Sequence, residues 1–320
     1  MVDNIDALID AATTAGQAAT RWREAQPADR KDVPTITNPD GSTVTEADRI
    51  AQHEIQRMLV PLDRDAVFLG EEGECSKANL DAFPLDTRVF VVDPIDGTNA
   101  FLDRKPNWSV SIAYAKIVAD ENLGKILQTC MAVVSAPAKG RLYYADKSGA
   151  KLMTGSKRKP LRVLPDTTGL PMMTFYCKKI SDTDETEPRR LAMTLAAGDT
   201  RTYIQDGEKG SPALSLAAAS TRPNNVVVTR EDDPFQPVTG GVIALWDSLA
   251  GRFIYETAGG KYPSNADRHR NMRILENLII SIMAPSERLA DNAAGVLMRA
   301  ALVRSSSKSP SSPSQAQRID

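Results

Sequence analysis

Val89-Phe90-Val91-Val92 runs directly into Asp93-Pro94-Ile95-Asp96-Gly97-Thr98, and this junction limits the possible folds more than any other stretch of the chain. Four consecutive apolar residues, three of them β-branched, read as a strand covered on both faces. Two carboxylates and a glycine then stand where the strand leaves its sheet, and strand ends along one sheet edge are where open α/β architectures place ligands. Upstream, Val67-Phe68-Leu69 leads into Gly70-Glu71-Glu72-Gly73 in the same way; downstream, Trp246-Asp247-Ser248-Leu249-Ala250-Gly251 sets an acid in a helical pattern. Pro94 stiffens its turn, so Asp93 and Asp96 are expected to project into the same space from successive bends.

Clustered carboxylates repel one another unless a cation joins them. Hard oxygen ligands of this kind suit Mg2+, which keeps waters and usually shares a substrate phosphate. Gly97 lets the backbone approach closely, and consecutive N–H groups at Gly97-Thr98 near a helix start can cradle that phosphate. Acidic ligands joined directly to an amide nest point to metal-assisted phosphoryl hydrolysis.

Composition removes the main competitors. His53 and His269 are the only histidines, and His53 falls on a helical stretch as an ordinary face residue, so chemistry based on a histidine base is disfavoured. Cys75, Cys130 and Cys177 are widely spaced and form no CxxC, which disfavours a disulfide framework or thiolate zinc site and fits a reducing cytoplasm. Lys and Arg total 39 against 41 Asp and Glu, so the basic surplus that drives binding to nucleic-acid polymers is missing. The longest nearly apolar run, Leu278 to Ala284, is too short to span a bilayer, and the acidic start does not read as a secretory signal. A cytoplasmic protein without membrane or nucleic-acid partners is expected.

Periodicity divides the chain near residue 165. In 1–165, Ile5, Leu8, Ile9, Ala12, Ala15, Ala19 and Trp22 predict a first helix, and a second runs from about Glu46 to Leu62. Asn38-Pro39-Asp40-Gly41 predicts a hairpin turn. Ser109–Ala115, Lys125–Ser135, Arg141–Ala145 and a further short pair predict an antiparallel meander. In 166–303, helices over Glu185–Ala197, Ser211–Ser220 and Trp246–Ala258 alternate with strands over Met172–Cys177, Arg201–Gln205 and Leu278–Met283, an α/β half. Asn224 to Gly240, carrying Glu231, Asp232, Asp233, Pro234 and Pro237, reads as a surface excursion, and serine-rich 304–320 as a disordered tail.

Together the three acidic segments resemble the signature of the inositol monophosphatase family, whose relatives include fructose-1,6-bisphosphatases and bisphosphate nucleotidases. The likeness extends to Val44-Thr45-Glu46-Ala47-Asp48, Trp108-Ser109-Val110-Ser111-Ile112, Gly210-Ser211 and Glu256-Thr257-Ala258-Gly259-Gly260, and covers the chain from about residue 5 to 302. It implies a layered α+β and α/β sandwich, αβαβα, and a Mg2+-dependent phosphomonoesterase that acts as a homodimer on a small phosphorylated metabolite. It further implies that Glu71, Asp93 and the Ile95 carbonyl bind one Mg2+, that Asp93, Asp96 and Asp247 bind a second, and that a third rests on Glu71 and waters. Gly97 and Thr98 amides would meet the phosphate, Asp48 and the Thr98 hydroxyl would orient the attacking water, and Ser211 would lie near the leaving alcohol.

Each role has a plainer rival. Thr45-Glu46-Ala47-Asp48 is also a capping box, and Asp247 also suits a helix N-terminus. Only one of Glu71 and Glu72 need face the metals, and Glu71 is preferred. Trp108 and Trp246 read as core. The lysine that family members often carry before the Val-Thr segment is replaced by Thr37-Asn38-Pro39-Asp40, and the glutamate that inositol-preferring members often carry before Trp-Asp is missing from Val238-Thr239-Gly240-Gly241-Val242. Two alternatives stay open: a 3′(2′),5′-bisphosphate nucleotidase, and a relative that binds phosphorylated ligands without turnover. The acidic run at 231–233 favours a singly phosphorylated polyol over a bisphosphate.

Overall fold

The apolar stripe of the first helical segment forms α1 (Ile5–Ala25), capped by the Asn4 side chain, which accepts from the Asp6 N–H at 2.9 Å. The next helix, α2 (Glu46–Leu59), opens on a capping box in which Thr45 and Asp48 satisfy each other's backbone and side chain. It stops one turn short of the predicted Leu62, giving way to a 3-10 turn over Val60–Leu62. Pro61 explains the change, since it has no N–H to continue the α-helical ladder.

The computed structural model describes residues 2–37, 43–72, 83–120, 124–164, 172–176, 210–221, 225–230, 245–261, 271–275, 278–284, 286–291 and 294. Short strands β1 (Ile36–Thr37) and β2 (Thr43–Val44) pair antiparallel around the predicted hairpin, whose turn lies outside these residues. A seven-stranded sheet then follows chain order: β3 (Val67–Gly70), β4 (Arg88–Asp96), β5 (Ser109–Asp120), β6 (Gly124–Ala136), β7 (Arg141–Asp146), β8 (Gly149–Thr154) and β9 (Lys157–Pro160). Only β3 and β4 are parallel, which sets both acidic strand ends at the same edge. From β4 onward the sheet is the antiparallel meander read from the Gly and Pro punctuation.

Helices α1 and α2 cover one face of this sheet, where Leu8, Ile55, Phe90, Ile112 and Tyr144 share a core. The short helix α3 (Thr98–Leu102) follows β4 directly. The other face receives α4 (Pro212–Ala219) and α5 (Leu245–Thr257), packed on Val91, Ala113, Val134 and Tyr143. Beyond α4 stands a second sheet of β10 (Met172–Tyr176), β11 (Asn225–Arg230), β12 (Asn271–Leu275) and β13 (Leu278–Met283), ordered β10-β11-β13-β12. These α, β, α and β layers agree with the predicted sandwich; the segments 185–197 and 201–205, predicted as helix and strand, lie outside the described residues. So does the tail at 304–320.

One prediction is overturned here. Residues 225–230, assigned to a surface excursion, form β11 at the interior of the second sheet, paired with β10 on one side and β13 on the other. Val226-Val227-Val228-Thr229 has the β-branched run of an internal strand, masked in the sequence by the acids and prolines that follow. The acids at 231–233 lie outside the described residues. Among the described residues no helix is long and apolar enough to cross a membrane.

Candidate metal centre

The carboxylates converge because β4 carries a bulge. Asp93 pairs with Ser111 and Asp96 with Ser109, so three steps along β4 match two along β5. In a regular strand, residues three apart face opposite sides. The extra residue restores Asp93 and Asp96 to the same face, next to Pro94, which has no N–H for the ladder. That face looks toward α5, where the Ser111 hydroxyl donates to the Trp246 carbonyl at 3.0 Å. Asp247 follows in the first turn of that helix.

Glu71, Asp93 and Asp247 each present a carboxylate oxygen, and these oxygens lie within 4.8 Å of one another. Asp93 is 1% exposed and its second anchor is the Ile95 N–H, which donates to it at 2.9 Å. Burial first, and then repulsion by Asp247, Asp48 and Glu72, push the Glu71 carboxyl well above the usual range; solvent still reaches part of this residue, but desolvation dominates. Asp93 is raised by burial and by Glu71, Asp96 and Asp247. A buried set of acids that disfavours its own ionisation is a site shaped for a cation, and an all-oxygen donor set is the chemistry Mg2+ selects.

Asp96 stands beside this trio but is held differently. Its Oδ2 accepts from the Ser211 hydroxyl and from the Ala213 N–H at 2.8 Å. Its carboxyl is nonetheless raised by burial and by Asp247, with the Ser211 and Ala213 hydrogen bonds pulling it back. Ser211 is 1% exposed, accepts from the Leu214 N–H at 2.8 Å as the cap of α4, and lies 2.7 Å from the Ser109 hydroxyl. Ser211, expected near the leaving alcohol, gives its hydroxyl to Asp96 and to the cap of α4.

Gly97 occupies the left-handed region at φ 88° and starts α3. A Cβ there would sit 3.0 Å from the Ser211 N and 3.1 Å from the Asn107 carbonyl oxygen, so glycine is required by conformation and by space. The Thr98 hydroxyl donates to the Ile95 carbonyl at 3.1 Å, which leaves that oxygen a second lone pair.

Asp48 is 1% exposed on the first turn of α2, and both rival readings of it are compatible. Its Oδ2 accepts from the Thr45 N–H at 2.7 Å and the Thr45 hydroxyl at 2.6 Å, while Oδ1 is buried without a hydrogen-bond partner among the described residues. Desolvation pushes its carboxyl up to about 6, with Thr45 and more weakly Thr98 opposing. A buried oxygen without a partner, on an acid close enough to repel Glu71, fits a bound water. His53 is exposed on α2, and Trp108 is buried in the core as expected.

The family model for the inositol monophosphatase family matches residues 2–294. The chain belongs to the inositol monophosphatase family. As members of that family are, it is a phosphoric monoester hydrolase of the generally Mg2+-dependent kind, acting on small phosphorylated substrates. It is 27% identical over 233 residues to a fructose-1,6-bisphosphatase/inositol-1-monophosphatase of Thermotoga maritima, spanning 71% of this chain and 73% of that one. An inositol-1-monophosphatase of Rhizobium meliloti is 29% identical over 222 residues, 68% of this chain and 70% of its own. Among solved structures, the extragenic suppressor protein suhB of Bartonella henselae superposes with a TM-score of 0.63 at 19% identity, over 92% of this chain and 97% of that one, which shows the shared fold.

Sequence reasoning alone did not find a second group of residues that surrounds the acids. The Ala213 amide and Ser109 bond Asp96, Gln52 bonds the backbone of Glu72, and Gly251 lies where α5 crosses closest to α4. None belongs to a motif that names its role, and only the close approach of elements distant in sequence reveals them.

Proposed function

We propose that the chain hydrolyses a singly phosphorylated polyol or similar small alcohol at this carboxylate centre. Glu71, Asp93 and the Ile95 carbonyl would hold one Mg2+; Asp93, Asp96 and Asp247 would hold a second; and a third would rest on Glu71 and waters. Bound divalent ions supply Lewis-acid chemistry for the phosphoryl oxygens and for the water. The free Asp48 Oδ1 and the Thr98 hydroxyl orient that water, and the Gly97 and Thr98 amides receive the phosphate at the N-terminal end of α3. The observation that carries this reading is the β4 bulge, which turns Asp93 and Asp96 to one face, adjoining the left-handed Gly97.

A singly phosphorylated substrate is supported by relatives that bear the name inositol-1-monophosphatase. A homodimer is part of the same proposal, and sedimentation velocity tests it directly. The functional test uses protein stripped with EDTA, restored with Mg2+, and assayed on inositol phosphates, histidinol phosphate and adenosine 3′,5′-bisphosphate. Activity should vanish with EDTA and return with Mg2+, and kcat/KM should favour the singly phosphorylated compounds. A tenfold or greater advantage for the bisphosphate would reverse the assignment in favour of a nucleotidase, and no turnover of any phosphomonoester would leave only ligand binding.

A further inference from the structure

Gln52 stands one turn beyond Asp48 on α2, on the same helix face, and is 8% exposed. A glutamine amide carries a donor and an acceptor at the same reach, and here both are used on one residue. Its Nε2 donates to the Glu72 carbonyl, and the Glu72 N–H donates to its Oε1 at 3.2 Å. On the other side of the strand end, the Glu71 N–H donates to the Val92 carbonyl at 3.0 Å. Glu71 is thus bracketed: the sheet fixes its own amide, and α2 fixes the peptide that follows. Gly70 makes room for this bracket, because a Cβ there would lie 2.1 Å from Gln52 Oε1 and 2.6 Å from its Cδ.

We propose that Gln52 is a positioning residue for Glu71, acting through the Glu72 backbone to set the geometry with which Glu71 meets a divalent ion. The inference rests on the reading of Glu71 as a metal ligand given above. It explains why a polar side chain is buried on this face of α2 with its amide hydrogen bonds given to the Glu72 backbone. It also ties Asp48 and Glu71 to the same helix, so that water-orienting and ion-holding oxygens share a rigid support.

The test is Mg2+ binding by calorimetry on full-length protein stripped with EDTA, comparing wild type with Gln52→Ala and Gln52→Met. Methionine keeps length, volume and helix propensity but has neither hydrogen bond. If the bracket matters, both variants bind Mg2+ about tenfold more weakly, within the range seen when a group supporting a metal ligand is removed, while kcat at saturating Mg2+ falls no more than about threefold. If Gln52 only fills space, Gln52→Met binds Mg2+ within about twofold of wild type, and the proposal fails. Gly70→Ala provides a second route to the same loss by displacing the amide, with the melting transition of the stripped protein reporting that it still folds. Glu71→Gln is the control. Unchanged Mg2+ binding in that variant would remove Glu71 from the metal site and the underlying reading with it; weakened binding there, with Gln52→Met unaffected, would overturn the positioning role alone.

Discussion

The Ser211 hydroxyl donates to the Asp96 carboxylate across 115 residues of sequence, joining the cap of α4 to the bulged end of β4. The same oxygen of Asp96 also takes the Ala213 N–H, so the N-terminus of α4 is docked on this acid. A carboxylate at a helix start is favoured by the unpaired amides there, and Asp96 thereby gains some of the stabilisation that burial among other acids denies it.

Replacing Ser211 with Ala should therefore act as a structural lesion first. The α4 cap at Leu214 and a hydrogen bond to a charged group are lost together, for a cost of about 1–3 kcal/mol in urea denaturation. KM for a small phosphate ester should change little. A rise in KM with stability unchanged would return Ser211 to the leaving alcohol.

Asp93 offers the opposite trade. It sits within the trio and is raised by burial and by its acidic neighbours, so Asp93→Asn removes repulsion from the metal-free fold. Its melting temperature in EDTA should equal or exceed that of wild type. In Mg2+ its kcat should fall by roughly 10³ or more, the scale of several kcal/mol of charge stabilisation. An active Asp93→Asn protein would refute its place in the centre.

How much of this was legible beforehand follows from how local each cause is. The acids at the ends of β3 and β4 announce themselves because an apolar run stops on them, and the Thr45–Asp48 cap is a four-residue pattern. The bulge at Pro94-Ile95 was anticipated only as a bend: it depends on the register with Ser109 and Ser111, which no local stretch specifies. β11 was missed because Val226-Val227-Val228 adjoins acids and prolines that outweigh it in composition. Gln52 was missed because a glutamine in a helix looks like a solvent-facing residue until Gly70 and Glu72 are brought beside it.

Two groups of acids should give stability profiles of opposite sign. In the metal-free protein, Asp48 is raised to about 6 and Glu71, Asp93 and Asp96 are raised further from the ordinary range. Raised groups stabilise the fold fully below their unfolded values near 4, and that contribution is lost as pH climbs through their folded values. Stripped protein should lose stability from about pH 4 upward, and the gain in melting temperature on adding Mg2+ should be larger at pH 8 than at pH 5. A Mg2+ gain independent of pH would contradict the clustering. Asp63 behaves in the other direction: Arg88 and the Tyr114 hydroxyl hold it down at about 2. Its contribution, roughly 2 kcal/mol, is present above pH 4 and is lost as pH falls toward 2. Asp63→Asn should therefore be destabilised at pH 7 and match wild type near pH 2, with activity retained.

Gly251 offers the sharpest test of how the second half of the chain aligns with the first. It lies one turn beyond Asp247 on α5, and a Cβ there would stand 2.5 Å from the Ala213 carbonyl oxygen and 2.7 Å from Leu216 Cβ. The two helices can cross this closely only over a glycine. One of them carries Asp247 and the other donates to Asp96, so their spacing controls how those acids face each other. Gly251→Ala should force the helices apart at a cost of about 1–3 kcal/mol, and it should also raise the Mg2+ concentration needed for half-maximal activity. Ala250→Gly is the matched control: it removes a buried methyl group from the same helix and weakens it by about 1 kcal/mol without altering the crossing. If both variants lose stability but only Gly251→Ala shifts the Mg2+ requirement, the crossing sets the metal geometry. Equal Mg2+ curves would reduce Gly251 to a packing residue.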